Sequence, residues 1–344
     1  MQTKVKFAVL GFGRIGRRHA EIIHNHPEAE LSALVDCVKP DFDLGSLREI
    51  PFFYSLEEFL ESQIAVDVVV VASPNGLHAQ HALQCLNAFR HVVIEKPMTL
   101  NRVDAEQIIY KALQVNKHVF VVMQNRYSPP VQWLKQTLES RILGHVYMVQ
   151  MNCYWNRDHR YYQAGSWHGT AHLDGGTLFT QFSHFIDIMY WLFGDIEDIQ
   201  ARFADFNHGH STDFEDSGFV NFKFVNGGMG SLNFSTSIWD QNLESSMTLI
   251  AEKGSIKIGG QYMNELEICH LKEGKKPLLA PTNPGNDYGQ FKGSAANHQF
   301  VINNVIEVLN QKASITTNAL EGLKVVDIIE RMYQAFPRPS KRQI

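Results

Sequence analysis

Cysteine is scarce in this chain: Cys37, Cys85, Cys153 and Cys269 are the only four. They are too few and too scattered for a disulfide framework or a CxxC metal site, which leaves reduced thiols as the expectation. No apolar run approaches membrane-spanning length, and Met1 to Lys6 leads into a strand without a signal-peptide core; a cytoplasmic protein with no membrane partner is expected. Excess positive charge is also missing. With 31 Lys and Arg against 36 Asp and Glu, the net charge is -5, which argues against nucleic acid as a partner and requires local arginines for any anionic ligand. Internal repeats, low-complexity segments and charge blocks are absent too. What is present is 344 residues of ordinary globular composition, long enough for two domains with a core in each.

The first half alternates strand and helix. Lys6 to Leu10 reads as a short buried strand, followed at once by Gly11-Phe12-Gly13-Arg14-Ile15-Gly16, a helix over Arg17 to His24, and a second strand over Leu31 to Val35 that ends at Asp36. The first glycine permits the tight turn, the second lets backbone approach a pyrophosphate, and the third lets helix and strand pack closely. The helix N-terminus attracts the anion. Asp36 lies 20 residues after Gly16, the spacing at which a carboxylate accepts from an adenosine ribose. That acid repels a 2′-phosphate and so favours NAD, while Lys39 leaves NADP open. Asp67 to Ser73 is another buried strand, broken by Pro74-Asn75 before a helix over residues 76–87. A strand from Val92 to Ile94, a helix over Arg102 to Val115 and a strand over Val119 to Met123 complete an alternation that requires parallel pairing. The expectation is α/β, a doubly wound Rossmann domain over residues 1–123.

Val-Val-Ile-Glu-Lys-Pro at 92–97 is where this half concentrates its chemistry. A β-branched run delivers Glu95 and Lys96 to the carboxyl end of a buried strand, where open α/β sheets bind ligands. Pro97 forbids a continued central strand, so the chain turns with Lys96 at the sheet edge. On these six residues alone, Lys96 is equally a site lysine or a solvated one.

The grammar changes after Gln124-Asn125-Arg126-Tyr127. A helix over Val131 to Ser140 leads into a strand over Val146 to Tyr154, and short runs follow at Ala201–Phe206, Ser217–Val225, Met229–Ser237, Ser246–Ala251, Ser255–Ile258 and Leu266–His270. Asn226-Gly227-Gly228 is a hairpin signal. Strand after strand implies an antiparallel sheet, so residues 124–344 read as α+β with a large, mainly antiparallel open sheet. The helical stretches Ala295–Leu309 and Ala319–Met332 are expected to pack back toward the first domain. An open sheet also predicts self-association as a homodimer or homotetramer. Between these elements, Asp174-Gly175-Gly176 precedes a helix read over Thr177 to Phe193. Thr180, His184, Asp187 and Trp191 fall on one side of it. On that pattern alone His184 is more often a hydrogen-bonded core histidine than a site residue. His24/His26 and His208/His210 lie in polar surroundings with no Cys or carboxylate set at ligand spacing, so no metal is expected.

Four motifs in order carry a resemblance that covers essentially the whole chain: Gly-Phe-Gly-Arg-Ile-Gly-Arg-Arg-His-Ala at 11–20, Ser-Pro-Asn-Gly-Leu-His at 73–78, Glu-Lys-Pro at 95–97 and Gly-Gly-Thr-Leu-Phe-Thr-Gln-Phe-Ser-His-Phe-Ile-Asp at 175–187. They resemble the glucose-fructose oxidoreductase, inositol dehydrogenase and MocA family. The resemblance implies an NAD(P)-dependent oxidoreductase acting on a hydroxyl of a sugar or polyol, with Lys96 and His184 in the active site. It implies a cofactor set of Gly11, Phe12, Gly13, Arg14, Ile15, Gly16, Asp36, Ser73, Pro74, Asn75, His78, Glu95, Lys96 and Gln124. The family commonly has an acid where this chain has Thr180. A narrower resemblance, carried by Gln124 to Tyr127, Tyr161-Tyr162, Trp167-His168-Gly169-Thr170 and Thr180-Gln181, is to the branch that oxidises C3 of UDP-N-acetylglucosamine-type sugars, notably the glucuronate. That branch also departs from the acid, usually with an amide at this position. It implies a bound diphosphate and carboxylate, for which Lys96, Arg126, Tyr127, Arg157, Arg160, Tyr161, Trp167, His168, Gln181 and His184 are the substrate-binding candidates. For Arg157 and Arg160, an exposed polar loop is the equal alternative.

Oxidising a secondary alcohol needs a base for the hydroxyl proton and a cation for the developing alkoxide. His184 is read as the base and Lys96 as the cation, with the two roles open to exchange, and Thr180 as an orienting hydroxyl. Three other readings stay open: a dehydrogenase of a free sugar or inositol-type polyol, an NAD-dependent glycosidase, and a non-catalytic NAD(P)-binding regulator.

Overall fold

Strands made of valine with no polar alternation belong where both faces are covered, and the four residues of β4 (Val68–Val71) are all buried. The computed structural model describes residues 4–40 and 43–336; the first three residues of the expected N-terminal lead lie outside them. The chain divides into two compact units, Met1–Met123 with His298–Val326, and Gln124–Asn297 with Asp327–Ile344.

In the first unit a six-stranded sheet runs in the order β3-β2-β1-β4-β5-β6, with every pair parallel. Its elements are β1 (Val5–Leu10), α1 (Arg14–Asn25), β2 (Ala29–Val35), β3 (Phe52–Phe53), α2 (Leu56–Glu61), β4, α3 (His78–Asn87), β5 (His91–Ile94), α4 (Arg102–Val115) and β6 (Val119–Val121). The order reverses between β1 and β4, the switch point outside which open α/β sheets bind ligands. Buried valines at about 1.5–3 kcal/mol each make β4 the anchor of this sheet. Helix α8 (His298–Leu309) packs on α1.

Helix α1 begins at Arg14, three residues before the sequence reading placed it, because Gly13 already serves as its N-cap. The sequence reading passed over α2, whose signal is a capping box: Ser55 accepts from Glu58 N at 3.1 Å, with Glu57 and Glu58 in the first turn. Helix α4 starts where Asn101 accepts from Asp104 N and ends at left-handed Asn116.

The second unit holds α5 (Pro129–Glu139), β7 (Val146–Tyr154), α6 (Thr177–Thr180), α7 (Ser183–Phe193), β8 (Ile196–Ala204), β9 (Ser217–Phe224), β10 (Met229–Ser235), β11 (Glu244–Ala251), β12 (Gly254–Gly259), β13 (Glu265–Leu271), β14 (Gly285–Asp287) and β15 (Lys292–Ala295). Its main sheet runs β13-β12-β11-β7-β10-β9-β8. All pairs are antiparallel except β7 with β10, which run parallel from Met148↔Met229 to Tyr154↔Ser235. Along β9, Val220, Phe222 and Phe224 are buried while Phe219, Asn221 and Lys223 face outward, so one face is core. Phe182 packs into it, 5.5 Å from Trp155 and 5.7 Å from Phe234 between ring centroids.

The single helix read over 177–193 is two. Residue Phe182, at φ -114° and ψ 2°, breaks it between α6 and α7, so Thr180 does not share a helix face with His184, Asp187 and Trp191. The helix expected from Ala295 begins at His298 because Lys292–Ala295 pairs with Gly285–Asp287 as β15 and β14. Helix α9 (Ala319–Ala335) gives its residues up to Val326 to the first unit and the rest to the second. No helix among the described residues is long and apolar enough to cross a membrane.

Candidate active site

In the first unit the glycine turn fits a dinucleotide. Gly11 sits at φ +88°, and a Cβ there would come within 2.5 Å of the Ala72 carbonyl carbon and Ser73 N; at Gly16 it would come within 1.8 Å of Gly11 O. A Cβ on Gly13 would meet nothing within 4 Å, the clearance a phosphate needs to reach backbone. No side chain caps α1 and its first turn holds no acid, so its positive end is open to an anion. Phe12 and Gly16 are buried, Arg14 is exposed and Ile15 half-buried. Asp36 stands beside the turn, one carboxylate oxygen accepting from Phe12 N at 2.6 Å and the other from Val38 N at 3.0 Å.

The loops after β4 and β5 are tied to each other. Pro74 leads into a short 3-10 turn over Asn75–Leu77, and Ser73 Oγ lies 2.8 Å from His81 Nδ1. His78, expected to face the cofactor, is buried, with Nδ1 2.7 Å from Pro97 O and Nε2 2.8 Å from Ser73 O. It is a clamp between the two loops. Glu95 is also turned inward: Oε1 lies 2.7 Å from His19 Nε2, and Oε2 accepts from Lys96 N at 3.1 Å. Neither side chain is presented to a ligand, because each found partners in the interior. Burial pushes Glu95 up, but the hydrogen bond from His19 and the charges of His19, His298 and Lys96 bring it down to about 2. Burial pulls His298 down to about 3. Lys96 itself is half-buried at the carboxyl end of β5.

In the second unit His184 lies in the first turn of α7, 4% exposed. Gln124, read as a cofactor ligand, places its Nε2 3.4 Å from His184 Nε2. An amide nitrogen can only donate, so a hydrogen bond here has the imidazole Nε2 as acceptor. Arg126 and Asp187 form a two-pronged pair, Nε to Oδ2 at 2.8 Å and Nη2 to Oδ1 at 2.5 Å, both side chains 1% exposed. The forked edge expected to hold a substrate anion is therefore committed internally, beside half-buried Tyr127 and 5.3 Å from the Trp191 ring.

Arg157 is not in an exposed loop. It is 2% exposed and donates Nε to Gln181 Oε1 at 2.7 Å, Nη1 to Asn156 O at 2.6 Å and Asn242 Oδ1 at 3.3 Å, and Nη2 to Lys292 O at 3.1 Å. Its guanidinium carbon lies 4.7 Å from the ring of Trp155, 5.3 Å from Tyr161 and 5.1 Å from Phe291. Every hydrogen-bond acceptor is neutral, and burial pulls its pKa down. Tyr161 stacks on His168 at 4.4 Å, with Trp167 against the same imidazole at 3.9 Å. The fold therefore assembles Arg157, Gln181, Tyr161, His168 and Trp167. Arg160 reaches the same segment at Asn156 Oδ1, 3.0 Å away, but is paired with Asp158 at 2.8 Å and Asp240 at 3.4 Å and so already neutralised.

Asp174 is the residue the sequence reading missed. It is buried, its Oδ2 accepts from Gly169 N at 2.7 Å, and its carbonyl and carboxylate both receive the Thr180 hydroxyl. The signal was its place before Gly175 and Gly176, both at positive φ, where the chain turns sharply into α6. A carboxylate is thus delivered to position 180 from six residues upstream. The fold also brings Asp205 and Asp216 to His208, which sequence spacing did not show. Asp216 there already accepts from Phe206 N, Asn207 N and Ser237 Oγ at 2.7–3.0 Å, the pattern of a loop clasp.

Glycine turn, open helix terminus and the acid at the end of β2 together define a dinucleotide-binding domain. The sequence pattern of the oxidoreductase family with an NAD-binding Rossmann fold matches residues 5–123, and that of the GFO/IDH/MocA C-terminal domain matches residues 131–257. The WlbA dehydrogenase of Bordetella pertussis, solved in complex with NADH and UDP-GlcNAcA, is similar at 31% identity and a TM-score of 0.85, over 96% of each chain. The scyllo-inositol 2-dehydrogenase (NADP(+)) IolW of Bacillus subtilis is 24% identical over 95% of this chain and 92% of its own. An uncharacterized oxidoreductase of Synechocystis is 24% identical over 95% and 93%. This chain belongs to the Gfo/Idh/MocA oxidoreductase family, and it is an NAD-binding enzyme acting on a sugar or polyol.

Proposed function

We propose that the substrate is a UDP-N-acetyl-hexosamine or its uronate, oxidised at the C3 hydroxyl with NAD. The observation that supports this is Arg157. A buried guanidinium surrounded by neutral acceptors and aromatic rings leaves a positive charge that an anionic ligand would balance. Free hexoses and inositols bring no such charge. Tyr161, Trp167 and His168 add ring surface for a base or sugar, and the similar WlbA structure holds a uronate sugar nucleotide. Asp36 favours NAD over NADP, because a 2′-phosphate would meet its carboxylate.

His184 takes the hydroxyl proton through its imidazole. Lys96 stabilises the developing alkoxide as an ammonium. Thr180, held by Asp174, orients the substrate in place of the family's acid. Gly11, Gly13, Gly16 and Asp36 would hold NAD, which when bound would supply the hydride acceptor for the substrate carbon. Phe219, Met229, Met148 and Ile250 lie exposed on strands of the open sheet, and we assign that face to self-association, a dimer or tetramer to be read by light scattering.

A panel of UDP-sugars, free hexoses and inositols, followed by NADH absorbance, tests the reading. Signal with an acidic UDP-sugar is expected. Signal only with inositol overturns the substrate, and hydrolysis of an aryl glycoside with catalytic NAD overturns net dehydrogenation.

A further inference from the structure

Glu95 is an unusual neighbour for a reactive lysine. Its carboxylate is buried, 6% exposed, and lies within the first unit among three histidines from three different elements. His19 from α1 reaches Oε1 at 2.7 Å, His298 from α8 stands 3.7 Å from the same oxygen, and the two rings meet edge to face at 5.3 Å. The other oxygen is held by the Lys96 amide at 3.1 Å. From the far side His78 grips Pro97 O at 2.7 Å. Each residue of Glu95-Lys96-Pro97 is thereby fixed through side chain or backbone, with only the Lys96 side chain left half-buried.

Two explanations compete for this cluster. A shared metal ion is disfavoured by the 2.7 Å between His19 Nε2 and Glu95 Oε1, because tetrahedral ligands about 2.1 Å from one ion stand about 3.4 Å apart. That separation is a hydrogen bond. The remaining function of a buried carboxylate held by an imidazole and a backbone amide is electrostatic. Lys96 carries a positive charge that helps keep Glu95 ionised, and the coupling is reciprocal: the carboxylate favours the ammonium. Arg18 and Lys96 are the cations felt at His298; His19, His78 and His298 complete the titratable groups around the pair. A lysine working beside an oxidised nicotinamide ring would otherwise lose its proton to like-charge repulsion.

We propose that Glu95 is a positioning residue for Lys96, a buried counter-ion aimed by His19 that keeps the lysine protonated and directed out of the sheet edge. The consequence for turnover rests on the role given to Lys96 above; the pairing itself does not.

The test is the pH dependence of Lys96 acetylation by acetic anhydride, read by mass spectrometry on the full chain with NAD bound. Glu95→Gln, which removes charge and keeps shape, is expected to move the labelling midpoint of Lys96 to lower pH by about one unit or more, a tenfold gain in labelling at neutral pH. It is expected to lower kcat about tenfold with KM for the sugar within about threefold, and to move the kcat–pH limb in the same direction. His19→Leu shifts the midpoint the same way, and His19→Gln, whose amide reproduces the donor, restores it; this pair decides the matter if Glu95→Gln fails to fold. A midpoint unchanged in Glu95→Gln or His19→Leu overturns the proposal. A shifted midpoint with unaltered turnover keeps the pairing and overturns the part given to Lys96 in the reaction.

Discussion

In the first unit the ligand-binding surface is mostly backbone: Gly11, Gly13 and Gly16 contribute no side chains, and what they offer is space and amide groups. In the second unit the surface proposed for the sugar is centred on a side chain, Arg157, whose partners Gln181, Asn242 and the Lys292 carbonyl are drawn together from across more than a hundred residues. A backbone-made site fails when anything is added. A side-chain-made site fails when something is taken away, and how badly depends on what its partners then lack.

The largest effect expected is from Lys96→Met, which removes the cation and should reduce turnover by about three orders of magnitude or more while NADH binding, read by fluorescence, persists. Near-wild-type turnover would take Lys96 out of the reaction. Gly11→Ala adds one methyl to the backbone-made site, at positive φ and within 2.5 Å of the Ala72 carbonyl; NAD affinity by calorimetry should fall by about a hundredfold. Arg157→Met subtracts from the side-chain-made site. KM for an acidic sugar nucleotide should rise by about a hundredfold, and unfolding should come about 2–3 kcal/mol sooner in urea, because Gln181 Oε1 and Asn156 O lose a buried donor. An unchanged KM would break the comparison at its centre.

Smaller still is the acid limb of stability. His298, held near 3 against an ordinary 6.5, is neutral in the fold while the unfolded chain takes up its proton. Stability is therefore intact above pH 6.5 and declines as pH falls toward 3, by about 2 kcal/mol at pH 5. His298→Asn should flatten part of that limb in melting experiments, with His91, held near 4, and His78 and His81, both pulled down by burial, contributing to what is left. Arg160→Ala, in contrast to Arg157, should change stability by less than about 1 kcal/mol and KM by less than about twofold, since its ion pairs with half-buried Asp158 and exposed Asp240 are open to solvent.

These contrasts follow how much each region shows in sequence. The parallel sheet and the glycine turn were legible because their causes are local: a β-branched run and a glycine where φ must be positive. The strand over Val146–Tyr154 was legible for the same reason. What was not legible lies in pairings across the chain. Nothing near Glu95 announces His19, 76 residues earlier, and nothing near Arg126 announces Asp187, 61 residues later. Without those partners, an inward carboxylate and a committed guanidinium both read as ligands in waiting. The break at Phe182 was hidden because its ring falls in the apolar stripe of a continuous helix and goes into the core either way.

The parallel pairing of β7 and β10 makes the large sheet two antiparallel ribbons stitched along one seam, and a parallel stitch sends both chains out at the same end. Trp155 N donates to Ser235 O and Arg157 N to Thr236 O, each at 2.9 Å, so the seam continues beyond the strands into the loops themselves. Had the ribbons met head to tail, the segment carrying Arg157 and the segment carrying Asn242 would leave from opposite rims. Here a change in how the ribbons join would be felt first as a change in what the guanidinium can reach.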